Sequence, residues 1–253
     1  MALTFPQRAT GAILLGLACQ AGAKDLSIED ARQAVAKADL LRQPEGSLEL
    51  KATISTMQHG QELDSDDYAI RSDGGGNALL IMLAKEKRGQ KVLSTNQGVW
   101  IYFPKTRRPI RLTPMQQLHG NASVGDILHV RWSSEYAVQS VDKETQAVDG
   151  EPCKLIRLAA AREDAAYGRI DLYVNEGKLD PVKAVLYTFG GKLLKSATFS
   201  EPTQINGRRM IGKTTIRSTI ERSGKETVYR IGSVNNIKAN SEQFTLHALE
   251  VGQ

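Results

Sequence analysis

The spacing of apolar residues changes once near the start of the chain. Over residues 25–41 the apolar side chains recur at helical intervals, and Ser27 with Asp30 is placed to cap the first turn. From residue 47 to residue 54 the apolar and polar positions instead alternate. This alternation predicts a β-strand with one buried face after a single helix.

About a dozen segments with strand-like spacing follow between residues 47 and 234, with turn residues such as Gly74 to Gly76 between them. Many short strands separated by regular turns are typical of an antiparallel sheet that curves strongly or closes into a barrel. We therefore predict a mainly β fold with a single curved antiparallel sheet. The length suits one domain over residues 24–253.

Few helices are available to cover this sheet. Apart from residues 25–41, only Val124, Ile127, Leu128 and Val130 within residues 114–132 show helical spacing. Each large apolar side chain left in water forgoes roughly 1.5–3 kcal/mol of burial. A sheet with so little cover is expected to enclose an apolar groove or cavity.

Residues 97–132 hold the most distinctive pattern. Residues 99–103 are apolar at every position, which predicts a strand with both faces covered. Residues 109–113 form the predicted return strand of a hairpin. The hairpin carries four cations, Lys105, Arg107, Arg108 and Arg111.

Three stretches resemble a known family, the LolA-like outer-membrane lipoprotein-sorting proteins. They are VWIYFPKTRRPIRLTP, SVGDIL and GRIDLYVNEGKLDPVKAVLY, and the similarity extends from about Ser47 onward. The resemblance implies an incomplete, half-open β-barrel of the LolA/LolB type with a short helical lid. It also implies a periplasmic carrier whose hydrophobic interior accepts acyl chains.

Strand alternation and the expected cavity together suggest ten lipid-binding residues. These are Leu50, Ile54, Leu79, Ile81, Trp100, Tyr102, Trp132, Ile170, Leu172 and Val174. The four cations of the hairpin are predicted to bind a lipid head group or an acidic patch on a membrane transporter. A solvated hairpin tip is the alternative interpretation of these cations.

Residues 1–23 predict export. They carry one charge, Arg8, then an apolar block and a small-residue site that predicts cleavage after Ala23. Lipid anchoring at Cys19 is the competing interpretation. Removal of the segment lowers the net charge from +5 to +4. A periplasmic protein rarely meets nucleic acid, so anionic lipid head groups are the expected counterpart despite a pI of about 9.1.

No catalytic or metal-binding motif stands out. The sequence has no H-E-x-x-H, G-x-S-x-G or phosphate-binding loop, and no Cys and His spacing suited to zinc. Cys153 is expected to be a buried, inert thiol. We predict that the protein is not an enzyme and holds no cofactor or metal; a hydrolase using His119, which lies near His129, is the remaining alternative.

The predicted function is to shield acyl chains of a lipoprotein or other lipid during transfer toward the outer membrane. An inner-membrane transporter is a possible partner, and membrane contact is expected to be peripheral or transient. The alternative is an interaction or sensor module that works with a membrane lipid exporter of the RND type or with a regulator. In that case the basic hairpin would be the protein-binding surface.

Overall fold

The computed structural model describes residues 25–128, 131–221 and 223–251. The predicted signal segment with its cleavage site, Cys19, His129 and Val130 lie outside these residues. Among the described residues, no helix has the length and apolar character needed to cross a membrane.

The described residues form four α-helices and sixteen β-strands. The helices are α1 Ile28–Arg42, α2 Val124–Ile127, α3 Trp132–Glu135 and α4 Leu246–Val251. The first eight strands are β1 Ser47–Gln58, β2 Gln61–Asp73, β3 Ala78–Met82, β4 Lys91–Thr95, β5 Gly98–Tyr102, β6 Pro109–Leu112, β7 Gln117–His119 and β8 Ala122–Ser123. The others are β9 Tyr136–Val141, β10 Gln146–Val148, β11 Glu151–Ala160, β12 Arg169–Asn175, β13 Pro181–Tyr187, β14 Leu193–Ile205, β15 Arg208–Ser218 and β16 Lys225–Asn236.

Fourteen of these strands form one curved antiparallel sheet. Its order runs from β10 through β16 to β1 and then to β6, and β9 pairs with β11 beside this path. The pairing of β16 with β1 joins two meanders, one from each half of the chain. The terminal strands β10 and β6 do not pair in the part of the chain that the structure describes, so the sheet stays open. The predicted fold class is confirmed.

Helix α1 forms where the helical spacing predicts it. The Ser27 hydroxyl accepts a hydrogen bond from the Asp30 amide at 3.1 Å, and the Asp30 carboxylate accepts one from the Ser27 amide at 3.3 Å. Its apolar side contributes Ala31, Val35 and Leu41 to the main core. This side lies on one face of the sheet, which we call the inner face.

Strands β3 to β5 are apolar on both faces, as predicted for residues 99–103. Cross-strand register places Leu50, Ile70, Leu80, Val92 and Ile101 in one row on the inner face. Their sequence neighbours Leu79, Leu93 and Trp100 form a row on the opposite face, which we call the outer face. Both rows are covered, because the protein supplies a separate set of apolar side chains to each.

The outer face of β3 to β5 is covered by a segment with no predicted counterpart in the sequence analysis. Phe244 and Leu249, from a 3-10 turn and from α4, pack with Leu79, Leu93 and Tyr102. Ile81 and Trp100 pack at the margin of this cluster. Strand alternation makes Leu79 and Ile81 candidates for the inner face, and it leaves the orientation of Trp100 and Tyr102 open. The structure places all four on the outer face, which α4 covers.

Candidate functional site

A groove of about 410 Å³ opens between the C-terminal end of α1 and the strands β13 to β15. Its floor consists of buried apolar side chains at and beyond the end of this helix. They are Leu41 of α1, and Val148, Val182, Phe199, Met210 and Ile211 of the sheet. The volume lies in the range of pockets that hold small ligands, and an apolar floor of this kind suits a hydrocarbon chain.

The rim of the groove is mainly acidic. Asp180 is neutralised by Arg209 through two hydrogen bonds of 2.9 and 2.6 Å, and by Lys37 at 2.9 Å. Burial alone would raise the pKa of Asp180, but these two cations outweigh it and hold the pKa below its ordinary value. Asp149 and Glu151 are exposed and have no ion-pair partner among the described residues. The mouth therefore carries uncompensated negative charge.

A narrow cleft continues from the groove into the main core. Phe199 and Ile211 line both spaces, so they separate the groove from the cleft. The cleft has a volume of about 30 Å³, which is room for about one water molecule. Trp132 lines it, and its ring lies 6.1 Å from that of Phe199 in an edge-to-face arrangement.

Arg42, at the end of α1, forms part of the cleft wall. Its guanidinium lies 3.7 Å from the centre of the Trp132 ring and 3.3 Å from the Asp39 carboxylate. Asp39 also accepts hydrogen bonds from the amides of Trp132 and Ser133, at 3.0 and 2.8 Å. Burial lowers the pKa of Arg42, although Asp39 opposes this shift. These contacts fix the end of α1, and with it the edge of the groove.

A second buried polar cluster holds α2 against the sheet. Asp126 accepts hydrogen bonds from Lys195 at 2.5 Å and from the Tyr167 hydroxyl at 2.6 Å. It also caps its own helix through Ser123 at 2.8 Å. Burial alone would raise the pKa of Asp126, but Lys195 and these hydrogen bonds hold it below its ordinary value. The short helix predicted near Val124 therefore lies across the inner face, as the sequence indicated.

Most of the predicted lipid-binding residues lie in packed core. Five of them are at most 2 % exposed and belong to the main core cluster: Leu50, Ile54, Ile170, Leu172 and Val174. Four others, Leu79, Ile81, Trp100 and Tyr102, pack on the outer face with α4. Of the ten, only Trp132 lines either of the two spaces described above.

Sequence reasoning missed the residues of the groove. Phe199, Met210 and Ile211 lie on predicted strands, and alternation alone gave them the same weight as any other buried position. These residues differ from other buried positions because they lie next to the C-terminal end of α1 in the folded protein. Strand periodicity carries no information about where that end lies.

The basic hairpin lies apart from the groove lining. Lys105, Arg107 and Arg108 are exposed and form no ion pair among the described residues. Arg111 donates a hydrogen bond of 3.2 Å to the Gln97 carbonyl, and its guanidinium lies 5.9 Å from the Trp100 ring. The hairpin therefore presents three free cations to solvent, at the β5–β6 edge of the open sheet.

Two residues that were considered as candidate reactive groups, Cys153 and His119, are buried. Cys153 is fully buried, and burial, with a smaller contribution from Glu151, raises the pKa of its thiol to about 11. The thiol is therefore protonated at neutral pH, which agrees with the expected inert role. His119 is also buried, and it lies beside Asp66 and Tyr68.

The sequence and the fold were compared with those of known proteins. A family model described as "uncharacterized protein" matches residues 75–251, which is more than half of the chain. No curated protein matches the sequence significantly. A LolA superfamily protein from Nitrosomonas europaea superposes with a TM-score of 0.74 at 25 % identity, over 85 % of this chain and 97 % of the other.

Two further solved structures share the fold at lower identity. A DUF1329 family protein from Desulfovibrio piger has a TM-score of 0.69 at 19 % identity, over 88 % of this chain and 98 % of its own. An outer membrane lipoprotein-sorting protein domain from Vibrio parahaemolyticus has a TM-score of 0.68 at 14 % identity, over 90 % and 98 %. At these identities the likeness concerns the fold alone.

Proposed function

We propose that this chain, which belongs to the LolA-like family of outer-membrane lipoprotein-sorting proteins, is a non-enzymatic periplasmic carrier of lipid. It would hold an acyl chain of a lipoprotein or another lipid in the groove beside α1 during transfer toward the outer membrane. The observation that carries the proposal is the groove itself, an apolar floor that the protein's own helices leave uncovered.

The energetics of such a carrier require no chemistry. Each methylene that moves from water onto the apolar floor gains about 0.8 kcal/mol. The gain is lost again when the chain leaves, so transfer would follow the relative affinities of donor, carrier and acceptor. The head group would stay at the polar mouth, because it cannot enter the apolar floor without losing its hydration.

The test is to fill the groove without altering the rest of the fold. Ile211→Trp replaces an aliphatic side chain of the groove floor with a bulky indole ring. Ile220→Trp makes the same substitution at a position that is 58 % exposed. We expect Ile211→Trp to weaken binding of a fluorescent diacyl phospholipid at least tenfold, and Ile220→Trp to bind like the wild type. Native mass spectrometry of the exported protein should show co-purified lipid only for the wild type and Ile220→Trp.

The proposal fails if the wild type is purified gently without lipid and does not bind the phospholipid. It also fails if Ile211→Trp folds, as judged by thermal unfolding, and still binds as tightly as the wild type. Val182→Trp provides a second test from a different strand of the same groove.

The basic hairpin favours a second candidate function, docking to an acidic surface of a partner protein. Lys105, Arg107 and Arg108 are exposed and carry charge that no described residue neutralises. The double variant Arg107→Glu with Arg108→Glu should then abolish capture of a membrane transporter partner while leaving lipid content unchanged. Loss of lipid with retention of the partner would contradict this function.

A further inference from the structure

One ring nitrogen of a buried histidine faces a carboxylate at a distance too long for a hydrogen bond. The side chain of His119, on β7, is 2 % exposed, and its Nε2 atom has no hydrogen-bond partner among the described residues. The Oδ2 atom of Asp64, on β2, lies 3.8 Å from this nitrogen. Buried polar atoms are nearly always satisfied, so this pair requires an explanation.

The other ring nitrogen determines which tautomer is present. Nδ1 of His119 lies 3.1 Å from Oδ2 of Asp66 and 3.2 Å from the Tyr68 hydroxyl. The same Asp66 oxygen also accepts a hydrogen bond from Lys87 Nζ. A carboxylate placed between these groups acts as an acceptor, so we assign the ring proton to Nδ1, which donates it to Asp66. In this tautomer the lone pair of the ring lies on Nε2.

Two electron-pair donors thus face each other across 3.8 Å, namely the Nε2 lone pair of His119 and the Asp64 carboxylate. Zinc–nitrogen and zinc–oxygen bonds of about 2.0 to 2.2 Å in tetrahedral geometry place two ligands roughly 3.4 Å apart. The observed gap is slightly wider than this separation. An imidazole whose second nitrogen donates to a carboxylate is also the usual arrangement of a histidine that binds a metal.

We propose that Nε2 of His119 and the carboxylate of Asp64 are ligands of a Zn²⁺ site, and that Asp66 positions the imidazole. Imidazole and carboxylate are both common zinc ligands. Lys87 neutralises Asp66, whereas Asp64 has no ion-pair partner other than His119 among the described residues. The Asp64 side chain is 65 % exposed, so the ion reaches the site from solvent and completes its coordination with water.

The site would tie two parts of the fold together. His119 belongs to the β7–β8 hairpin, whereas Asp64 and Asp66 lie on β2 of the large sheet. The same hairpin already contacts β16 through the Asn121 amide, which donates a hydrogen bond of 2.6 Å to the Thr227 hydroxyl. Bound zinc would strengthen the attachment of the hairpin to β2, which already includes the contact of His119 with Asp66.

Calorimetric titration of the chelator-treated protein with zinc chloride tests the site. We expect one saturable equivalent in the wild type and at least a tenfold loss of affinity in Asp64→Asn and in His119→Gln. Asp66→Asn should lower the affinity for zinc roughly 10- to 100-fold, as is usual when the carboxylate partner of a metal-binding histidine is removed. The matched control is His59→Gln, which replaces an exposed histidine and should bind zinc like the wild type.

A second measurement identifies the ligand atoms. Zinc should shift the ring signals of His119 in the NMR spectrum, and magnesium should not, because Mg²⁺ prefers an all-oxygen shell. The absence of saturable zinc binding in the wild type would overturn the proposal, and so would equal binding by Asp64→Asn. Because Asp64 is exposed, this variant decides the outcome even if His119→Gln does not fold.

Discussion

Two regions of the sheet differ in how their apolar residues are covered. At β3 to β5 both faces are apolar, and both are covered, the outer one by Phe244 and Leu249. At β13 to β15 the inner face is covered only as far as α1 extends, and the groove begins at Leu41. The comparison shows that the groove lies where the helical cover ends, and not where the strands are richest in apolar residues.

The end of that cover is held in place by charge. Arg42 lies on the Trp132 ring and pairs with Asp39, which in turn binds the first amides of α3. Because these groups are buried, moving the end of α1 would leave a guanidinium and a carboxylate without partners. Breaking a buried pair of this kind typically costs about 3–5 kcal/mol. The groove is therefore a fixed feature of the folded chain.

The largest expected effect is a loss of folding when a charge is introduced into the main core. Leu172 is 0 % exposed in the main core, and Leu172→Asp would bury a carboxylate with no cationic partner. We expect this variant not to fold, so circular dichroism should show no cooperative thermal transition. Ile220→Asp, at an exposed position, should unfold like the wild type. A folded Leu172→Asp protein that had only lost lipid would instead place Leu172 in a ligand site.

Much of the architecture could be predicted from the sequence, because it depends on local patterns. The capping pair of α1, the alternation of β1 and the two-sided strand at residues 99–103 all express preferences of neighbouring residues. Family resemblance supplied the open sheet. These features required no knowledge of which distant segments meet.

The site could not be predicted in the same way, because it depends on distant segments. Alternation separates the two faces of a strand but does not say which face a later segment covers. It therefore could not show that α4 covers the face on which Leu79 and Trp100 lie. The segment that covers them, with Phe244, follows the last strand and has little periodicity. Asp64 and His119 likewise become neighbours only when β7 packs near β2.

A smaller loss of stability is expected when the apolar cluster on the outer face is weakened. Phe244→Ala removes a buried ring from the cluster with Leu79 and Leu93, and should lower the free energy of unfolding by about 3–5 kcal/mol. Lipid binding by the folded protein should not change, because the groove lies elsewhere. Urea unfolding and phospholipid titration of the same sample measure both quantities.

The matched control for this change is Phe189→Ala. Phe189 is 60 % exposed, so its truncation should alter stability by no more than about 0.5 kcal/mol. If Phe244→Ala reduced phospholipid binding as strongly as Ile211→Trp, the two regions would be coupled. The outer cluster would then have to be counted as part of the ligand site.

The smallest expected effect concerns the charge at the mouth of the groove. Asp149→Asn with Glu151→Gln removes the two rim carboxylates that lack ion-pair partners among the described residues. Because exposed charges interact by only about 1 kcal/mol at 4 Å, the variant should bind an anionic phospholipid roughly two- to fivefold more tightly. Its affinity for a zwitterionic lipid with the same chains should stay the same.

Salt separates this charge effect from a change in the floor of the groove. The gain for the anionic lipid should shrink as ionic strength rises, since charges at the rim are screened over about 8 Å at 0.15 M. Glu86→Gln with Glu163→Gln, which removes two exposed carboxylates that do not line the groove, should leave both affinities unchanged. If this control pair changed anionic binding as much as the rim pair, net charge rather than the rim would set head-group preference, and the groove would select its ligand by the acyl chain alone.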